Sequence, residues 1–445
     1  MSTDRDAVLD DIRASGVREI RVAFMDYNGL LRARGVSFEH LPRVLEHGVN
    51  FSSSGVSFNS RDIFPTNAAF NLASQDVWAI PDPATYRVAA GTSDTGEMYA
   101  DLVDAHGETW PGCPRSALRR AIARGKAAGL SFKVGFEPEG YLFRPVNGEL
   151  DFVDSAKFAT LDGLGGQPAF MHDLLAYLSG VGIDVEQWTE EYGPGQVEVN
   201  LHYAAPLEAA DALTRYRQAF RTLATRHGLI GTFMPKPFED QVGSGLHVHL
   251  SAGDADGSES NLFDGNADAE LGLSELGIHA LAGLLRHGPA LTALGASTVN
   301  SYKRFLPGSW APTHVMHAYA SRAAFIRIPE RETARRLELR IGDPAGNPYL
   351  FLTGILAAAL DGLEQRLVPG PPMPGDVGRS GAAGDAPPVP RTLAQALDQL
   401  AADDVMRSAL GSAILDEFLT IKRSEWDAFI THVDSWDRDW YLGRY

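Results

Sequence analysis

Leu246-His247-Val248-His249-Leu250-Ser251 alternates aliphatic and polar residues with a period of two, the spacing that sends successive side chains of an extended strand to opposite faces. Two imidazoles and a hydroxyl therefore share one face, and three aliphatic side chains share the other. The pattern recurs elsewhere. In Phe136-Glu137-Pro138-Glu139-Gly140-Tyr141 two carboxylates stand at i and i+2. Gln196-Val197-Glu198 puts an acid seven residues after Glu191, across Tyr192-Gly193-Pro194-Gly195. Arg335-Arg336-Leu337-Glu338-Leu339-Arg340-Ile341 sets Arg336, Glu338 and Arg340 opposite Leu337, Leu339 and Ile341. One such strand is what any half-exposed sheet shows to water. Four of them, collecting Glu, His and Arg with almost no Lys, predict a face reserved for chemistry.

Neighbouring carboxylates repel unless a cation lies between them. Carboxylates with one neutral imidazole form a hard, mostly oxygen environment that suits Mg²⁺ or Mn²⁺ better than Zn²⁺ or copper. Glu137, Glu139, Glu191, Glu198, His247 and Glu338 could accommodate two or more such ions. Between 300 and 347 lie eight Lys or Arg residues, Lys303, Arg304, Arg322, Arg327, Arg331, Arg335, Arg336 and Arg340, against four acids, so this segment is at +4. Guanidinium groups beside a divalent-metal cluster are what a polyphosphate and a carboxylate substrate both need, and the combination suggests phosphoryl transfer. There is no Gly-x-x-x-x-Gly-Lys-Ser/Thr run, no Gly-x-Gly-x-x-Gly fingerprint and no Gly-x-Ser-x-Gly elbow, which sets aside P-loop, dinucleotide-fold and triad-hydrolase chemistry.

The whole chain has 445 residues and a net charge of −18, with 44% hydrophobic and 22% charged residues. This is the composition of a folded globular protein, and the acidic balance argues against nucleic acid or an anionic membrane as partner. The single cysteine, Cys113, requires no oxidising compartment. The acidic start lacks the pattern of an export signal, and the apolar run 350–360 is too short for a bilayer, so a cytoplasmic location is expected. Residues 1–110 read as a small mixed domain, with a helix over 4–15 stopped by Gly16 and a hairpin turning at Asn28-Gly29. Residues 111–445 read as a larger domain with helices over 115–128, 205–228 and 270–287. Seven prolines and five glycines over 369–390 mark a loop or flap ahead of a helical tail.

The order of these motifs resembles the glutamine synthetase family. Glu137-Pro138-Glu139, Glu191 through Glu198, Phe233-Met234-Pro235-Lys236-Pro237 followed by Gly243 through Ser251, Asn300 through Gly308, and Arg335 through Tyr349 correspond in turn to its motifs over nearly the whole chain. The resemblance implies an α+β fold: a small N-terminal β-grasp-like domain, and a large catalytic domain with a curved antiparallel sheet and helices. It implies that Glu139, Glu191 and Glu198 hold one metal ion and that Glu137, His247 and Glu338 hold the second. ATP would be the co-substrate, contacted by His249, Ser251 and Tyr203, with Arg322, Arg327 and Arg336 among the arginines near its phosphates. Arg304 and Arg340 would grip the carboxyl end of glutamate, close to Gly243. Catalytic roles would fall to Arg322, Asp76 and Arg304. Rings of six subunits, usually stacked into twelve with sites between neighbours, are implied too, so that Ser52 and Asp76 would serve an adjacent subunit.

Departures from the family pattern narrow the reading. Ser52 stands where the pattern has an aspartate of the ammonium pocket, Trp310 replaces the glutamate that closes over ammonium, and Asp76 is retained. Val242 replaces an asparagine near the amino-acid substrate, and 369–390 contains no tyrosine, so the adenylylated loop of some members has no counterpart. Fewer carboxylates and one more indole favour an organic amine over a small hydrated cation. The expectation is a γ-glutamyl-amine ligase. The alternatives are a true glutamine synthetase using ammonia, a non-catalytic relative, or a metal-dependent hydrolase; complete retention of the six metal-type residues disfavours the non-catalytic one.

Overall fold

The computed structural model describes residues 5–155, 158–256, 260–266, 270–330, 334–373 and 385–445. Two sheets organise them. The first is built from β1 (Glu19–Met25), β2 (Leu31–Ser37), β3 (Val49–Ser52), β4 (Asp76–Pro81), β5 (Arg87–Val88) and β6 (Thr95–Val103). Its order is β2-β1-β6-β4-β3, with β5 on β6; the β1–β6 pair is parallel.

The β1–β2 connection is not the two-residue turn expected at Asn28-Gly29. Five residues, 26–30, make it, closed by Asp26 N–H to Leu30 O at 2.9 Å. Only Gly29 of the pair takes a positive φ, +77°. The reason is tertiary: the loop lies against the start of the helix Pro348–Glu364, where a Cβ on Gly29 would sit 2.5 Å from the Gly346 carbonyl oxygen. Asn347 caps that helix by accepting from the Tyr349 and Leu350 N–H groups, and its own amide donates to Asp26 O at 2.7 Å. Lys422 reaches Asn28 Oδ1 from the far end of the chain at 2.7 Å. The small sheet is thereby fastened to the larger unit.

The second sheet holds β7 (Leu130–Val146), β8 (Glu149–Phe152), β9 (Val185–Glu190), β10 (Gln196–Ala204), β11 (Ile230–Thr232), β12 (Leu246–Asp254), β13 (His317–Tyr319), β14 (Ile326–Ile328) and β15 (Leu337–Leu339). The order is β13-β14-β15-β12-β7-β10-β9, with β8 and β11 also on β7. All pairs are antiparallel except β13–β14. The period-two prediction holds on its apolar side: Val134, Phe136, Val248, Leu250, Leu337 and Leu339 are buried. The helices Pro114–Ala127 and Pro206–Arg226 pack against β7, and Pro348–Glu364, apolar on nearly all sides, packs against both of them. The apolar face is therefore covered, and the polar face is left to the site.

All three of these helices begin on proline, where the missing N–H costs nothing. The stretch expected as one helix over 270–287 instead starts as a short 3-10 turn, Glu270–Gly272, with Leu271 at φ +60°. The α-helix Glu275–Arg286 then begins under a Ser274 cap that accepts from Gly277 N–H. Of the loop expected at 369–390, residues 374–384 lie outside the described residues; its two described ends have no helix. The chain then continues into four helices, Leu393–Ala402, Asp404–Leu410, Ser412–Ile430 and Ser435–Tyr441. Among the described residues no helix is long and apolar enough to cross a membrane.

Candidate active site

Register builds the polar face. Glu198 on β10 pairs with Glu139 on β7; Glu137 on β7 pairs with His247 on β12; His249 on β12 pairs with Glu338 on β15, which pairs with Arg327 on β14. Directly opposed residues of neighbouring strands project from the same face, so acids and imidazoles that are distant in sequence form one continuous patch. His247 Nδ1 lies 3.3 Å from Glu137 Oε2 and 3.9 Å from Glu338 Oε1, and His247 Nε2 lies 3.9 Å from Glu139 Oε1. His249 Nε2 lies 2.9 Å from Glu137 Oε1. Opposite His249 on β7 is Gly135, which brings no side chain of its own against the imidazole.

Two groups of donors converge closely enough to hold a cation: Glu137, Glu198 and His247, and Glu137, His249 and Glu338, with ligand atoms within 4.8 Å of one another. The sequence placed Glu137 in one metal set; here it is common to both groups. His249, expected on the nucleotide, also reaches the second. Glu139 and Glu191 stand beside these groups. Glu139 Oε2 accepts from Gln196 Nε2 at 3.0 Å and from Gly245 N–H at 2.8 Å, which fixes its direction.

The electrostatics fit a divalent ion. Burial, followed by the charges of Glu137, Glu139 and Glu191, pushes the Glu198 carboxyl up to about 9. Burial and the Glu139 charge push Glu191 up to about 7. Two acids that resist ionising, Glu198 and Glu191, lack positive charge beside them, which a hard dication supplies. At Glu338 burial acts upward too, but Arg340 and then His249 and His247 outweigh it and hold the carboxyl at about 2. Glu338 accepts from Arg340 Nη1 at 2.5 Å and from Arg327 Nη1 at 2.7 Å.

Two cavities open along this patch. One, of about 690 Å³, is lined by Ser131, Lys133, Gly135, Tyr203, His249, Ser251 and Arg336 among others; Arg336 Nε donates to His249 Nδ1 at 2.9 Å. The other, of about 350 Å³, is lined by Glu139, Glu191, Glu198, His247, Gly243, Arg304, Arg322 and Arg340, and at its outer end by Phe158, Tyr192 and Trp310. His249 and His247, two residues apart on β12, face one cavity each. Arg304 is buried, and its Nη1 has no hydrogen-bond partner, with Asp343 Oδ2 3.6 Å away. A buried guanidinium with a donor to spare is suited to a carboxylate. Gly243 lets it approach: a Cβ there would sit 2.5 Å from Arg304 Cγ and 2.8 Å from Pro235 O.

Tyr203, His249, Ser251 and Arg336 thus line the larger cavity, whereas Arg322, expected at the phosphates, lines the smaller. Arg327 is spent on Glu338 and on Ala320 O. Ser52 and Asp76 are not brought to the patch. They pair with each other across β3 and β4 on the first sheet, both exposed. Sequence reasoning missed Lys133, although extending the period-two parity of Glu137 by four residues points to it. It passed over Gln196 and Tyr192 inside motifs it had quoted. Phe158 carried no signal, because its partner Tyr192 lies far along the chain.

The catalytic-domain model of glutamine synthetase matches residues 111–441. A glutamine synthetase of Halobacterium salinarum is 32% identical over 99% of this chain and 96% of its own length. A glutamate–methylamine ligase of Methyloversatilis universalis is 34% identical over 97% of each chain. Among solved structures, one titled GmaS/ADP complex superposes with a TM-score of 0.90 at 32% identity, covering 99% of this chain and all of the other.

Proposed function

The chain belongs to the glutamine synthetase family of ATP-dependent ligases, and from that premise we propose that it joins the γ-carboxylate of glutamate to an organic amine in preference to ammonia. The observation that carries this reading is the outer wall of the smaller cavity. Trp310 stands there, 54% exposed, and Val242 lines the same cavity; neither offers the negative charge that a small hydrated cation needs. The similarity to a glutamate–methylamine ligase supports the same choice.

In the proposed reaction ATP occupies the larger cavity, with His249, Ser251, Tyr203 and Arg336 around it. Glutamate occupies the smaller, its α-carboxylate on Arg304 and Arg340. The γ-carboxylate oxygen attacks the terminal phosphorus of ATP, ADP leaves, and γ-glutamyl phosphate results. The amine nitrogen then attacks the acyl carbon, phosphate departs, and the nitrogen loses a proton. Glu137, Glu139, Glu191, Glu198, His247 and Glu338 would hold Mg²⁺ or Mn²⁺, which supplies positive charge to the phosphate oxygens. Arg322 adds charge from the smaller cavity. Ser52 and Asp76, remote from the patch of their own chain, would act in a neighbour's site within a hexameric ring or a double-ring dodecamer, with Asp76 receiving the amine's proton.

The test is phosphate release with ATP, Mg²⁺ and glutamate, comparing ammonium with a panel of primary amines, the product identified by mass. A γ-glutamyl amide formed faster from an amine than glutamine is from ammonium is the expected result. Faster turnover with ammonium than with every amine would make the protein an ammonia-using synthetase.

A further inference from the structure

Three aromatic side chains from separate segments meet at the outer end of the smaller cavity. The Phe158 and Tyr192 rings stack with centroids 4.1 Å apart and planes at 15°, and Tyr192 meets Trp310 at 5.5 Å and 46°. All three are large and yet exposed, at 43%, 45% and 54%. Scattered exposed hydrophobic residues need no explanation, but a contiguous apolar patch at the rim of a polar cavity marks a binding surface. Trp310 also holds φ +63°, a conformation that a bulky residue adopts only when its surroundings impose it. In this loop, Pro307-Gly308-Ser309-Trp310, Ser309 Oγ shares its one proton between the Leu306 and Arg304 carbonyl oxygens, 2.6 and 2.8 Å away, so the turn that presents the indole is tied to the backbone of the arginine proposed for glutamate.

Resting on the ligase reading above, we propose that these three rings form a subsite for the amine's substituent, and that the substrate class is a primary amine with an apolar alkyl or aryl group, not a diamine or an amino alcohol. The acids lining this cavity, Glu139, Glu191 and Glu198, all belong to the metal-type patch at its inner end. The described residues at the aromatic rim offer no carboxylate to a second ammonium group. Cation–π attraction to the ring faces left free is weak at exposed rings such as these. Stacking at 4.1 Å covers one face each of Phe158 and Tyr192, and ring edges carry the positive end of the quadrupole. What the rim presents is mainly apolar area, whose binding contribution grows with each methylene or ring carbon it covers. The amino group would enter first, toward the acids, with the substituent left between the rings.

Steady-state kinetics at saturating Mg-ATP and glutamate, with methylamine, butylamine, benzylamine, ethanolamine, putrescine and ammonium, test the subsite. The expected result is a rise in kcat/KM of about tenfold or more from methylamine to butylamine or benzylamine, with ethanolamine and putrescine below both. Trp310→Ala and Phe158→Ala should each lower the benzylamine-to-methylamine ratio of kcat/KM several-fold. Should one variant fail to fold, the other and the wild-type series still decide. Preference for putrescine or ethanolamine, or variants that slow every amine by one common factor, would overturn the subsite while leaving the ligase reading intact. Turnover with ammonium alone would overturn both.

Discussion

Glu338→Gln probes the patch where its charges are most tightly balanced. The carboxylate is 1% exposed and bridges Arg327 and Arg340. Its descent from the ordinary 4.5 to about 2 is worth about 3 kcal/mol, at about 1.4 kcal/mol per pH unit. That agrees with the about 3–5 kcal/mol lost when one partner of a buried ion pair is removed. Glutamine keeps the size and one acceptor oxygen, so the loss should sit near the lower figure; alanine would add a void and leave both guanidinium groups unmatched. With an unfolding entropy of about 2.1 cal/mol/K per residue, a chain this long should melt about 3–5 °C lower. Metal dependence separates ligation from mere structural support. In the wild type, Mn²⁺ at a hundred times its Kd should add about 2.7 kcal/mol of stability, and the variant should lose most of that increment. Turnover should fall by about a hundredfold or more, as when a charge-stabilising group is removed from an active site. Differential scanning with and without Mn²⁺, alongside phosphate release, reads all three quantities. A variant that melts lower but keeps the full Mn²⁺ increment and more than a tenth of the turnover would refute Glu338 as a ligand.

Gly243→Ala should raise the KM for glutamate at least tenfold with a smaller change in the KM for ATP, because the new Cβ must displace Arg304 on the glutamate side; equal effects on both KM values would place the fault elsewhere. His287 is buried between Asp403, 2.6 Å from Nδ1, and Asp361, 3.0 Å from Nε2. Burial disfavours its charge, but the two aspartates outweigh burial and raise its pKa above 6.5. A raised folded-state value gives stability that is complete below the unfolded pKa and is lost as pH rises through the folded one. Melting temperature should therefore decline as pH rises past the ordinary imidazole value of 6.5, and His287→Gln should lose about 1–3 kcal/mol at pH 6 and flatten that slope. An unchanged slope in the variant would assign the pH dependence to other groups.

What was legible in the sequence was whatever a strand's period expresses. Alternation at Leu246–Ser251 and around Glu338 identified both the buried side and the chemical side, because a two-residue repeat is enforced by backbone geometry alone. The hairpin expected around Asn28-Gly29 is present, but its turn was misread for the opposite reason. Its conformation answers to Gly346 and Asn347, more than 300 positions away, and a local turn preference cannot register such a neighbour. The helix expected over 270–287 failed where Ser274 offered a better cap than continuation did.

The site divides along the same line. Every acid and imidazole of the metal-type patch except Glu191, which directly follows β9, sits in a strand, and pairing register carries a pattern legible within one segment into a cluster between segments. The aromatic rim has no such grammar: Phe158, Tyr192 and Trp310 come from three connections between strands, and only their meeting gives them meaning. Ser52 and Asp76 go a step further, since they face each other on β3 and β4, where their side chains touch local neighbours, Ser54 and Asn50, away from the patch. Charge is likewise legible only in three dimensions. The net −18 does not describe the patch, where Arg327 and Arg340 neutralise Glu338 while Glu198 and Glu191 are left short of positive charge. The imbalance lies on the side that faces the smaller cavity, so the chain's own arginines satisfy one end of the acid row and leave the other end short of positive charge.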